Sequence, residues 1–95
     1  MIRELVGKYV TVEQCEMRYA LLNGHWSRTV DRETVKTDKY IIDLTESRNL
    51  IQELMRAVID EFEENLYFEV YDADSGELLF KVYLDSNYNV MVEKF

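Results

Sequence analysis

The sequence predicts an α+β fold: antiparallel strands in the order βββ-α-βββ, with one amphipathic helix packed on the sheet. Three observations carry this reading. Residues 45–64 hold Ile51, Leu54, Met55, Val58, Ile59 and Phe62 at the spacing that builds one apolar stripe on a helix. The stretches on either side alternate apolar and polar residues with the period of two that a half-buried strand requires. Between two of those stretches lies Leu22-Asn23-Gly24-His25, whose Asn-Gly pair tolerates both positive φ angles of a type I′ turn and so closes a two-residue hairpin.

Taken in order, residues 1–7 read as a short helical turn and residues 9–22 and 25–31 as the two hairpin strands. Pairing outward from the turn sets Leu21 opposite Trp26, Tyr19 opposite Arg28 and Met17 opposite Val30. One face of the hairpin then holds Cys15, Met17, Tyr19, Leu21, Trp26 and Val30. Asp31-Arg32-Glu33-Thr34 reads as a polar loop, followed by a third strand over 35–43. Asp43-Leu44-Thr45-Glu46 offers a capping box for the helix. Beyond the helix a second meander alternates Leu66, Phe68, Val70, then Leu78, Phe80, Val82, Leu84, then Tyr88, Val90, Val92. Its turns are Asp72-Ala73-Asp74-Ser75-Gly76-Glu77 and Asp85-Ser86-Asn87.

With 95 residues the chain makes one domain, 1–95, and 47% hydrophobic residues supply enough apolar surface to order it. No apolar run approaches the roughly 18 residues of a membrane span, and the first residues lack a signal-peptide core, so the expected setting is cytoplasmic and away from membranes. Cys15 is the only cysteine, which leaves no internal disulfide and no multi-cysteine zinc site; a buried, inert thiol is expected. One His, one Cys and no Gly-rich strand-to-helix turn make a poor catalytic inventory, so no enzyme activity, cofactor or metal is expected. His25 reads as an exposed turn residue. Asp72-Ala73-Asp74-Ser75-Gly76 begins like a calcium loop, but Gly76, Glu77 and Tyr83 stand where the fifth, sixth and twelfth positions need an oxygen ligand, Gly and Glu. A hairpin turn with Gly76 at positive φ accounts for the same residues.

Charge is more informative. Residues 1–40 carry seven Lys/Arg and six Asp/Glu, residues 41–95 four and thirteen, for a net charge of −8. So acidic a second half repels nucleic acid and anionic membrane and attracts basic protein surfaces. Asp60, Glu61, Glu63 and Glu64 crowd the end of the helix, where acids oppose the macrodipole by about 0.3–1 kcal/mol each. They are read either as a solvated end or as acids kept for a basic partner. A second candidate is the meander face opposite its core set, with Tyr67, Glu69 and Tyr71, then Leu79, Lys81 and Tyr83, then Asn89, Met91 and Glu93, bordered by the Asp72/Asp74 turn. That face either seats a partner or is covered by the N-terminal hairpin as a second layer of core.

In size and charge, though in no motif, the chain is similar to phage-encoded anti-defence inhibitors such as anti-CRISPR proteins and DNA mimics. The resemblance implies a non-enzymatic inhibitor or regulator that docks on a basic, nucleic-acid-handling protein without itself binding nucleic acid. The partner-binding residues expected are Asp60, Glu61, Glu63, Glu64, Tyr67, Glu69, Tyr71, Asp72, Asp74 and Tyr83. The alternatives are a self-associating subunit, a homodimer in its simplest form, and a small-ligand pocket lined by Tyr19, Trp26 and the meander tyrosines.

Overall fold

The computed structural model describes residues 2–61 and 65–95. Phe62, Glu63 and Glu64 lie outside the described residues, and with them the last turn of the expected helix. A short 3-10 helix (Ile2–Leu5) leads into β1 (Tyr9–Leu22) and β2 (His25–Tyr40); α1 (Leu44–Glu61) follows, then β3 (Leu66–Asp72), β4 (Leu78–Leu84) and β5 (Val90–Lys94). All five strands join one antiparallel sheet in the order β2-β1-β3-β4-β5. The α+β class and the single helix between two antiparallel groups of strands are as expected.

The Asn23-Gly24 turn forms with both φ angles positive, at 52° and 79°. It sets the expected register, Leu21 to Trp26, Tyr19 to Arg28 and Met17 to Val30. The structure differs over the next segment. Asp31–Thr34 is no loop, and what the sequence divides into two strands is one continuous β2, so the order is ββ-α-βββ. The polar run hides a strand because β2 is a sheet edge, where side chains need no burial and polar ones protect against unwanted pairing. Its polar residues instead pair across the ladder: Asp31 with Arg18 at 2.6 Å and Thr34 with Glu13 at 2.8 Å. The irregularity comes later, where the β1–β2 register slips on both sides of Val12 and Asp38 takes a φ of 48°.

α1 covers one face of the sheet. Asp43 caps it by accepting the Glu46 N–H at 2.9 Å, and Glu46 reaches back to the Ile42 N–H at 2.8 Å, one residue beyond the usual capping-box partner. Its buried stripe is Ser47, Leu50, Ile51, Leu54 and Val58. Ile59, expected in the stripe, is half exposed, because it follows the central Val58 by one residue, about 100° around the helix. Leu50, Ile51, Leu54 and Val58 pack in one cluster with Val10, Val12, Phe68, Val70, Phe80, Val82 and Leu84, and Leu5 and Ile41 are buried in the same cluster. Each such side chain contributes about 1.5–3 kcal/mol through burial, so this layer holds the domain together. A bulge opposite Tyr71 shifts the start of β4: Leu79, not the expected Leu78, joins the core. Among the described residues no helix is long and apolar enough to cross a membrane.

Candidate functional site: the open face of the sheet

The alternation that sends Val12, Phe68, Val70, Phe80 and Val82 toward α1 sends their neighbours to the other face. Among the described residues no element covers it. The N-terminal hairpin, which sequence reasoning allowed as a lid over this face, joins the sheet edge to edge through β1 and β3 and extends the face. Register places two rows of side chains across it. Arg32, Cys15, Tyr67, Tyr83 and Met91 form one; Thr34, Glu13, Glu69, Lys81 and Glu93 form the other.

At the centre lies Glu69, only 8% exposed. A carboxylate at such a site needs donors, and three converge on its Oε1: the Arg32 guanidinium, the Cys15 thiol at 3.3 Å and the Tyr71 hydroxyl at 3.1 Å. Arg32 also donates to Cys15 Sγ at 3.3 Å. Burial pushes the Glu69 carboxyl up, but the bonds from Arg32, Cys15 and Tyr71 outweigh it, and the group sits below the ordinary glutamate range. Burial, with the Glu69 bond and charge, pushes the Cys15 thiol up to about 12. The tyrosine hydroxyls are also raised, Tyr67 by burial and then by Cys15 and Glu69, Tyr71 by burial and then by its bond to Glu69. A thiol held protonated is a weak nucleophile, and the three donors on one carboxylate oxygen tie β1, β2 and β3 together. Alongside, the Lys81 ammonium lies over two rings, 4.6 Å from the centre of Tyr67 and 4.9 Å from that of Tyr83.

β1 pairs with β3 only as far as Glu16. From Met17 to Asp31 the hairpin continues as a two-stranded arm that helps stretch the molecule to 49 Å. Its face continuous with the open face shows Met17, Tyr19, Leu21, Trp26, Arg28 and Val30. Trp26 is 71%, Tyr19 65% and Leu21 58% exposed. A two-stranded ribbon is marginal in water by itself, and this one gathers its large exposed apolar side chains on one face.

The expected partner-binding residues therefore divide. Tyr67, Glu69, Tyr71 and Tyr83 do share one face, but Tyr67 and Glu69 are buried in it, and Glu69 is neutralised by Arg32. Asp60 and Glu61 are exposed at the end of α1, and no basic residue occupies its last turn. Among the described residues neither acid makes a salt bridge. Asp72 accepts the backbone N–H groups of Asp74 and Ser75, holds Lys8 at 3.6 Å, and is lowered in pKa chiefly by those backbone bonds. It thus shapes the turn, in which Gly76 takes a φ of 74°. Because β3 begins beside the helix end and finishes at Asp72, about 20 Å of strand separates Asp60 and Glu61 from the Asp72/Asp74 turn. Those acids do not form one surface.

Sequence reasoning missed Arg32, assigned to a loop, and Lys81 as a lid over two tyrosines. The alternation of β4 against Tyr67 and Tyr83 could have found Lys81; nothing local to Arg32 points to Glu69. A groove of about 360 Å³ at the turn end of the open face is lined by Thr11, Glu13, Arg32, Tyr71, Asp72, Ala73 and Gly76. Of the aromatic residues expected around a ligand pocket, only Tyr71 is there. Comparison of the chain with protein-family models, curated proteins and solved structures finds no match.

Proposed function

We propose that the protein is a non-catalytic binding protein that docks on a basic surface of another protein and inhibits or regulates it, a nucleic-acid-handling protein being the partner class its charge favours. The observation that carries this reading is the end of α1. Asp60 and Glu61 are exposed, oppose the helix dipole and have no cation in the last turn to offset them. Acids kept against a local electrostatic cost belong where a partner supplies the missing cations. The net charge of −8 adds long-range attraction to a basic surface, which speeds encounter and discriminates against acidic partners. Acids elsewhere on α1 are engaged by cations from other elements, Glu53 by Lys36 and Glu46 by Lys39, whereas Asp60 and Glu61 make no salt bridge among the described residues.

The test is retention of basic proteins from a lysate of the native host on the immobilised chain, with elution by rising salt. The expected result is a basic protein that leaves as salt screens the contact and that an Asp60→Lys, Glu61→Lys double variant no longer retains. Retention unchanged in the double variant, or no basic protein retained, would overturn the proposal.

A further inference from the structure

We infer that the open face, arm included, is the contact between two copies of this chain, packed sheet on sheet so that each arm lies against the other copy. The inference is independent of the basic partner, which the helix end meets on the opposite layer.

Charge selects the occupant. The open face carries three acids, Glu13, Glu69 and Glu93, and three bases, Arg28, Arg32 and Lys81, so it is neutral although the chain is −8. Among the described residues the excess negative charge therefore lies off these strand positions. A basic partner gains nothing from a neutral surface. Two copies of an acidic chain, by contrast, repel wherever their acids meet, and this face is where they approach without that repulsion. The arm's part of the face contributes Arg28 and no acid, while over β3–β5, with Glu69 held by Arg32, Glu93 stands against Lys81. Crossing each arm over the other copy's strands therefore meets no excess of acid and leaves Glu93 as a counter-charge for Arg28.

Area agrees. Trp26, Tyr19, Leu21 and Val30, exposed by 71%, 65%, 58% and 39%, offer on the order of 400–500 Å² of apolar surface per chain. A two-fold contact counts that patch twice and adds Met91 and the rims of Tyr67 and Tyr83, passing the roughly 1,000 Å² that a specific interface needs. At this low end of interface size the dimer is expected to dissociate in the micromolar range.

Trp26 is the chain's only tryptophan and reports on the contact directly. Sedimentation velocity of the full chain over about 1–100 µM should show the mass rising from 11.4 kDa toward twice that value, with Trp26 emission moving to the blue as it does. Trp26→Glu and Tyr19→Glu change exposed side chains, so both variants should keep the native circular dichroism while weakening association more than about tenfold. The Asp60→Lys, Glu61→Lys variant should associate as the parent does. A single-chain mass at every concentration overturns the inference. So does a dimer that forms with Trp26 emission unmoved or that survives both Glu variants, because the contact then lies elsewhere, for instance at the β2 edge.

Discussion

The two ends of β1 show how little a strand's own composition decides its burial. Between Val10 and Glu16 the strand has β2 on one side, β3 on the other and α1 below, and Val10, Val12 and Cys15 are fully buried. Between Met17 and Leu22 the same strand, in unbroken register with β2, meets no third strand and no helix among the described residues beyond the Met17 N–H bond to the Asn65 carbonyl, and Tyr19, Leu21 and Leu22 are more than half exposed. The arm is the more apolar stretch and the body the better covered. Hydrophobic residues go inside only where the topology supplies something to cover them. Where it does not, the surplus is read as surface kept for a second molecule.

The largest effect that would sharpen this comparison is a pair of truncations. Phe80→Ala, in the fully buried core under α1, should destabilise the domain by about 3–5 kcal/mol through lost transfer energy and an unfilled cavity. Trp26→Ala removes a larger ring from the arm, yet should change the stability of the dilute, single-chain protein by no more than about 0.5 kcal/mol. Urea unfolding of both at submicromolar concentration decides; a cost above about 2 kcal/mol for Trp26→Ala would mean that the arm packs on its own body.

Next in size is Arg32→Ala, which breaks the polar lock where arm and body meet. With Arg32 gone, Glu69 is a buried carboxylate left with two neutral donors, at a cost of about 2 kcal/mol at pH 7, since Arg32 itself is half exposed. The pH profile separates this from lost packing. In the parent, the folded Glu69 pKa is depressed below the ordinary 4.5, so its contribution is present above pH 4.5 and is lost as pH falls through the folded value. In Arg32→Ala the Arg32 bond and charge that lower the Glu69 pKa are gone, the folded value rises, and the loss of stability on acidification shrinks. Equal losses for parent and variant on acidification would show that Arg32 does not set the state of Glu69.

Cys15 gives a kinetic form of the same contrast. Its thiol is fully buried and pushed up to about 12, so at pH 8 it should resist a thiol reagent until urea unfolds the body. The sign of the linkage follows: a folded pKa above the ordinary 9.0 leaves stability intact below pH 9 and erodes it as pH rises toward 12. Reaction in native buffer at the rate of an exposed thiol would place the opening of β1, β2 and β3 far below the global unfolding energy.

How much of this was legible in the sequence follows the same division. The I′ hairpin, its register, most of the helix stripe and most of the alternation of β3–β5 are written in periods of two and 3.6 and in an Asn-Gly pair, and the structure carries them; Ile59 and Leu78 fall outside the core, and Tyr88, expected in the last strand, lies before β5 at a φ of 61° and is exposed. The continuity of β2 was not legible, because an edge strand is stabilised by its ladder and needs no apolar alternation. Nor was the setting of Glu69. Its partners Cys15 and Arg32 lie 54 and 37 residues away, and only the edgewise joining of β1 to β3, a matter of strand order, brings them to it. The acids were visible as a count, but their separation along β3 was not.

The smallest effect is the most discriminating, because stability and binding should move in opposite directions. Asp60 and Glu61 stand in the last turn of α1, where the helix presents its negative end. Replacing both by Lys turns two unfavourable dipole interactions into two favourable ones, and the variant should be more stable than the parent by about 0.5–1 kcal/mol at low salt, the gain shrinking as salt is added. If the acids served only solubility, the stabilised variant would keep every partner of the parent. Acids held for a basic surface require the opposite outcome: a chain that folds better and binds worse, seen as a higher urea midpoint together with loss of the salt-eluted partner. Removing the charges without reversing them, as Asp60→Asn and Glu61→Gln, should give about half of each change, because the dipole penalty and the attraction to the partner draw on the same two carboxylates.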